Sequence, residues 1–152
     1  MRTLPRGPNV FAGPYLDRLA HLRKDEVWLR KAAAGPDALV VPVWQSKSLV
    51  RRTETGLVAV YLAANDGVPG DTPDGDLVLL GRHEDAVYFA RELTDPAAVV
   101  ERTGGRFEDL RLAGAMLDAR QAGVLAYARA LLYWRSRHRF CGACGAPSFC
   151  LP

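Results

Sequence analysis

Cysteine is scarce in this chain, and the three present, Cys141, Cys144 and Cys150, all fall within its last twelve residues. An odd number crowded at one end is a poor disulfide framework and points to metal or redox chemistry instead. Long apolar runs are missing too. The longest, residues 57–64, has eight members, against the roughly 20 needed to span a bilayer. Residues 1–8, MRTLPRGP, lack the apolar stretch of a secretory leader. A cytoplasmic protein with no membrane segment is the expectation. Lysine is rare, with only Lys24, Lys31 and Lys47 among twenty basic residues. That bias is compositional and carries no functional weight. The excess of positive charge is only +3, little reason to expect a surface that coats nucleic acid. With 49% hydrophobic and 24% charged residues over 152 positions, the chain is globular, with room for one domain or one plus a small appendage.

Periodicity predicts an α+β domain. Leu16, Leu19, Leu22, Val27 and Trp28 recur at helical spacing ahead of a stop at Gly35-Pro36, as one broken helix or as two short ones with Asp25 capping the second. Four runs read as strands, residues 38–44, 57–62, 77–80 and 86–90, for which an antiparallel meander is the simplest arrangement. The link 65–76 is a polar hairpin loop whose carboxylates lack the alternation of a calcium loop. Asp95-Pro96 opens a short helix closed by Gly104-Gly105, with Asp95 as cap and Pro96 in its first turn. A longer helix over 114–137 carries Leu117, Val124, Ala128, Leu131 and Leu132 on a stripe expected to pack on the sheet. The expected division is a module over 1–137 and a cysteine-bearing tail over 138–152.

The strongest chemical signal is Phe140-Cys141-Gly142-Ala143-Cys144-Gly145. A Cys-x-x-Cys turn with a glycine after each cysteine lets backbone N–H groups turn toward the sulfurs, as zinc-bound thiolates require. A full ribbon adds a second such pair roughly 12 to 20 residues on, whereas here only Cys150 follows. Three readings compete: a redox pair, a local site of His138, Cys141, Cys144 and Cys150, and half a ribbon completed from outside the chain. The redox reading suffers because Cys141 follows a helix C-terminus rather than preceding a helix. The five-residue spacer before Cys150 is short for wrapping a metal. Half a ribbon is the best of the three, set against a metal-free tail. Arg129, Tyr133, Trp134, Arg135, Arg137, His138 and Arg139 form a basic, aromatic stretch that could grip nucleic acid. A core role for Trp134 and a helix-end role for the arginines are the preferred readings. His21 and His83 lack ligand spacing and are expected to be solvated or capping.

Taken together, Asn9-Val-Phe11-Ala-Gly13, Leu16-Asp17-Arg18, Leu22-Arg23, Trp28-Leu29, Phe107-Glu108-Asp109-Leu110-Arg111 and the run 126–134 leading into His138 and the Cys141/Cys144 turn resemble the NADH pyrophosphatase family of Nudix hydrolases. The resemblance implies a Nudix-like but catalytically empty N-terminal module, followed by a zinc ribbon and then a catalytic Nudix domain. It implies a homodimer, in which two chains could pool Cys141 and Cys144 into one tetrathiolate site. It further implies hydrolysis of NAD(H) to AMP and a nicotinamide mononucleotide, with some members acting on NAD-capped RNA, using magnesium or manganese held by glutamates of the box G-x5-E-x7-R-E-U-x-E-E-x-G-U.

That box is absent. Aligning its Arg-Glu on Arg91-Glu92-Leu93 puts Leu77 at the first glycine, His83 at the first glutamate and Asp95-Pro96 at the metal-binding pair. The chain is therefore expected to be the N-terminal module plus the first half of the ribbon, inactive alone. Cys141 and Cys144 take the places of the first two zinc ligands, and Arg111 that of an arginine able to reach substrate. A salt bridge to a nearby carboxylate is the alternative for Arg111. A zinc-dependent protein- or nucleic-acid-binding module is the second functional reading.

Overall fold

The computed structural model describes residues 11, 15–66 and 77–148. Ala38–Trp44 forms β1, the middle strand of a seven-stranded sheet. Its two faces are both covered, so it has no solvent side on which polar residues could alternate, and it reads ALVVPVW. Around it lie β2 (Lys47–Thr53), β3 (Gly56–Ala59), β4 (Leu62–Ala63), β5 (Val78–His83), β6 (Ala86–Glu92) and β7 (Arg106–Glu108). The order is β3-β2-β1-β6-β5, with β4 also on β1 and β7 on β2.

The α+β class with a largely antiparallel sheet is as expected, and one pairing departs from a simple meander. β6 runs parallel to β1, from Ala38 opposite Val87 to Val43 opposite Glu92. The long link before β5 frees the β5–β6 hairpin to cross to the other edge of β1, where an apolar strand needs a partner. On its antiparallel side β1 changes partners, meeting β4 at Leu39 and Val40 and β2 at Val43 and Trp44. Pro42 stands in the gap between them, which is where a residue without an N–H fits a central strand. The expected strand 57–62 divides into β3 and β4. Strand β2 escapes the pattern because Lys47, Arg51 and Arg52 interrupt its buried Ser48, Leu49 and Val50.

Among the described residues four α-helices cover the sheet: α1 (Glu26–Ala33), α2 (Ala97–Thr103), α3 (Leu110–Ala113) and α4 (Ala119–Arg137). The two-helix reading of 15–34 is the one observed, a 3-10 turn at Ala20–Leu22 and then α1, whose Trp28 N–H donates to Asp25 at 2.9 Å. Asp95 accepts from the Ala97 N–H at 2.9 Å, so Pro96 lies just outside α2 rather than in its first turn. The last helix begins five residues later than expected, because Asp118 caps it through the N–H groups of Arg120 and Gln121. On one face Val41, Val43, Val50, Leu80 and Ala90 meet Val124, Leu125, Ala128 and Leu132 of α4. On the other, Leu79 and Phe89 meet Leu29 of α1, and Val40 and Leu49 meet Val99 of α2.

The segment before α1 is stapled to edge strand β5. Asp17 and Arg82 exchange two backbone hydrogen bonds of 2.8 Å. The Arg23 guanidinium donates to the carbonyls of Leu79 (2.8 Å) and Leu80 (3.0 Å) and to the Tyr127 hydroxyl (3.3 Å). Arg18 lies 4.8 Å from the centre of the Tyr127 ring. Gly81, at φ 152°, sits where a Cβ would collide with the Asp17 carbonyl. Gly81→Ala is expected to cost about 1–3 kcal/mol through the strained backbone and the displaced segment. Urea unfolding should show a lower midpoint at an unchanged slope, and an unchanged midpoint would contradict this account.

Candidate functional site

Two places bring together side chains with chemical potential, and α4 carries both. At its C-terminus the His138 N–H closes the last turn on the Trp134 carbonyl (3.0 Å), and the chain folds into a tight knuckle. The Cys141 N–H donates to Ala146 (2.7 Å), the Gly145 N–H donates to Cys141 (2.9 Å), and Ser148 is tied back to Arg139 and His138. Gly145 takes the left-handed φ of 69° that reverses the chain. The Ala143 N–H, then the Cys144 N–H, then the Cys144 side chain bond to the Cys141 sulfur and hold its thiol below the usual value. The lowering is local, since the preceding helix presents its negative end.

Cys141 and Cys144 are both exposed. The donor set suits half of a tetrathiolate zinc site. Among the described residues no third His, Cys, Asp or Glu joins them. His138 places its Nδ1 2.8 Å from the Trp134 carbonyl and stacks on the Trp134 ring at 4.6 Å. Cys150 lies outside the described residues, as does most of the 65–76 loop weighed for calcium. Trp134 corrects the core expectation: it is 49% exposed.

The second place is a cavity of about 460 Å³ between α3 and α4, lined by Phe11, Ser46, Leu110, Arg111, Ala126, Arg129, Ala130 and Tyr133. β7 pairs with β2 and delivers the chain to Asp109, which caps α3 through the Arg111 N–H (2.8 Å) and sets Arg111 in its first turn. The alternative of a salt bridge is not seen. Glu108 pairs with Arg106 at 2.6 Å, and among the described residues no carboxylate meets the Arg111 guanidinium. Arg129 and Tyr133, one turn apart on α4, belong to the basic, aromatic stretch of the sequence; the signal for the cavity is their helical spacing from Ala126 and Ala130. Arg91 and Glu92 lie at the end of strand β6, and His83 touches Arg120 at 2.7 Å.

Residues 37–134 match the family model described as NADH pyrophosphatase-like rudimentary NUDIX domain, a span from the start of β1 into α4 that covers well over half of the chain. The chain belongs to this family. The match ends at residue 134, short of the knuckle. Over 132 residues the chain is 36% identical to Nudix hydrolase 19, chloroplastic, of Arabidopsis thaliana, covering 77% of this chain and 27% of that protein. Over 68 residues it is 38% identical to NAD-capped RNA hydrolase NudC of Stutzerimonas stutzeri (strain A1501), covering 45% of this chain and 24% of that protein. It thus spans about a quarter of the length of these relatives. Among the described residues no helix is long and apolar enough to cross a membrane.

The lowered Cys141 thiol has a measurable consequence. A depressed thiol keeps its reactive thiolate to lower pH, so in metal-free protein carrying Cys150→Ala, Cys141 should alkylate faster than Cys144 at neutral pH. Its rate should reach half-maximum below the pH of a free cysteine, and Cys144→Ala should move that midpoint upward. Peptide mapping after iodoacetamide treatment reads both, and equal rates for the two thiols would contradict the geometry.

Proposed function

We propose that this chain acts as the non-catalytic N-terminal module of a Nudix NADH pyrophosphatase, supporting dimerisation and assembly of the substrate site in a cytoplasmic enzyme. The carrying observation is a contrast within the sequence. The chain matches the family's rudimentary domain over 37–134, yet it encodes no box of glutamates that could hold magnesium or manganese against a diphosphate. In this reading the hydrolysis of NAD(H) belongs to a Nudix box outside the module. Arg111 serves as a charged contact for the substrate's phosphates, a role supported by its exposed guanidinium on the cavity wall. The boundary between module and knuckle falls at residue 138, and Cys141 and Cys144 supply two zinc thiolates. When bound, the zinc supplies a structural crosslink; Cys141 and the N–H groups of Ala143 and Cys144 provide its charge-balanced seat.

Incubation of the purified chain with NADH and magnesium should release no AMP above a protein-free control, and turnover that co-purifies with the chain would refute the proposal. Light scattering should report twice the 16.6 kDa chain mass. About one zinc per two chains would accompany pooled thiolates, whereas one per chain would favour a local site with His138 or Cys150. A metal-free monomer would remove the dimerisation role.

A further inference from the structure

We infer that the cavity between α3 and α4 is a nucleotide-binding site of the module itself, in which Arg129 joins Arg111 on a phosphate and Tyr133 takes the base. The inference rests on the reading of Arg111 as a phosphate contact and adds the residues that would make the site selective. Ala126, Arg129, Ala130 and Tyr133 follow one another at i, i+3, i+4 and i+7, so they form one stripe of α4. The two alanines keep the floor low, with Leu110 beside them, while the long side chains form the rim. The resulting space lies within the roughly 300–1,000 Å³ that small-molecule sites occupy.

The charge on this cavity has one sign. Among the described residues its lining includes two guanidiniums and no carboxylate, and neither Arg111 nor Arg129 has a side-chain hydrogen bond or ion pair there. Beyond Asp118 the sequence holds five arginines and no acidic residue, so nothing on α4 itself neutralises them. Two unpaired cations facing one cavity, Arg111 from α3 and Arg129 from α4, repel each other, and a phosphate dianion relieves that repulsion while accepting their planar donors.

The aromatic side chains supply the apolar half of the site. Tyr133 is 57% and Phe11 41% exposed, large apolar surface left at the edge of a cationic pocket. Arg137 stands 5.8 Å from the centre of the Tyr133 ring. Phe11 reaches the cavity because Gly114 has no Cβ, which would otherwise fall within the Phe11 ring. Ser46 adds a hydroxyl from the β1–β2 turn, where Gln45 and Ser46 hold left-handed φ values of 49° and 61°. Paired arginines beside the exposed Tyr133 ring recognise a phosphate joined to a flat base, which is a nucleoside monophosphate.

The test is calorimetric titration of the full chain with AMP, with ribose 5-phosphate and adenosine as its two halves. Saturable binding of one AMP per chain is expected at millimolar concentration. Arg129→Ala and Arg111→Ala should each weaken it by about tenfold, the loss of a charge-assisted hydrogen bond, with Arg129→Lys recovering part. Tyr133→Leu should weaken AMP and leave ribose 5-phosphate unchanged. Circular dichroism of each variant would establish that these surface changes leave the fold intact. A loss confined to Arg111→Ala, with Arg129→Ala binding as wild type, overturns this inference and leaves the Arg111 reading standing. Arg129→Ala weakening AMP while Arg111→Ala does not would sink the Arg111 reading and, with it, the shared phosphate site. No saturable AMP binding, adenosine binding as tight as AMP, or binding confined to single-stranded oligoribonucleotides would each overturn the site.

Discussion

Strand β1 is the constraint from which the rest of the molecule follows. Its buried residues are divided between the two faces, with Ala38 and Val40 on one and Val41 and Val43 on the other. Neither face can be left to water, so helices must lie on both sides, and a partner is needed along each edge. The parallel seat of β6 supplies one edge; β4 and β2 share the other, dividing at Pro42. Burying a side chain such as Phe89 contributes roughly 1.5–3 kcal/mol, and the sheet places many of them in one plane. Placing α4 over β1 in turn fixes the stripe on its opposite side, the stripe that lines the cavity.

Much of this was legible and some was not, for reasons that differ by element. The bounds of β1 could be read directly because continuous apolar residues between turn signals leave few alternatives. Helix α4 was legible as a helix, though its start depended on Asp118 winning the cap from the glycine four residues earlier, a competition that periodicity does not see. Strand β2 was hidden by its outer arginines, and β7, with three residues, is too short to have a period. The parallel pairing of β1 with β6 is a matter of topology between strands 40 and more residues apart, which local pattern does not encode.

The candidate sites divide in the same way. The knuckle is local: its glycines and cysteines lie within a few residues of one another, and the sulfur-directed N–H groups follow from that spacing. The cavity is assembled from the segment before α1, the β1–β2 turn, α3 and α4. Arg111 was singled out only through the family resemblance, while Arg129 was assigned to the charge of the helix end. Nothing near Gly114 in the sequence announces the Phe11 ring resting on it. Conversely, Arg18 and Arg23, which carried part of the resemblance, are accounted for structurally by Tyr127 and the carbonyls of β5.

Helix α4 runs unbroken from the cavity to the knuckle, and a helix is also a ruler. Arg129 and His138 are nine positions apart, about 14 Å along the axis at 1.5 Å per residue. That exceeds the screening distance of about 8 Å in physiological salt. A charge arriving at the sulfurs would therefore be nearly invisible to the guanidiniums, while any tilt it imposed on the rod would be felt in full. The two ends are electrically insulated and mechanically joined, so communication between them must travel as motion of the helix.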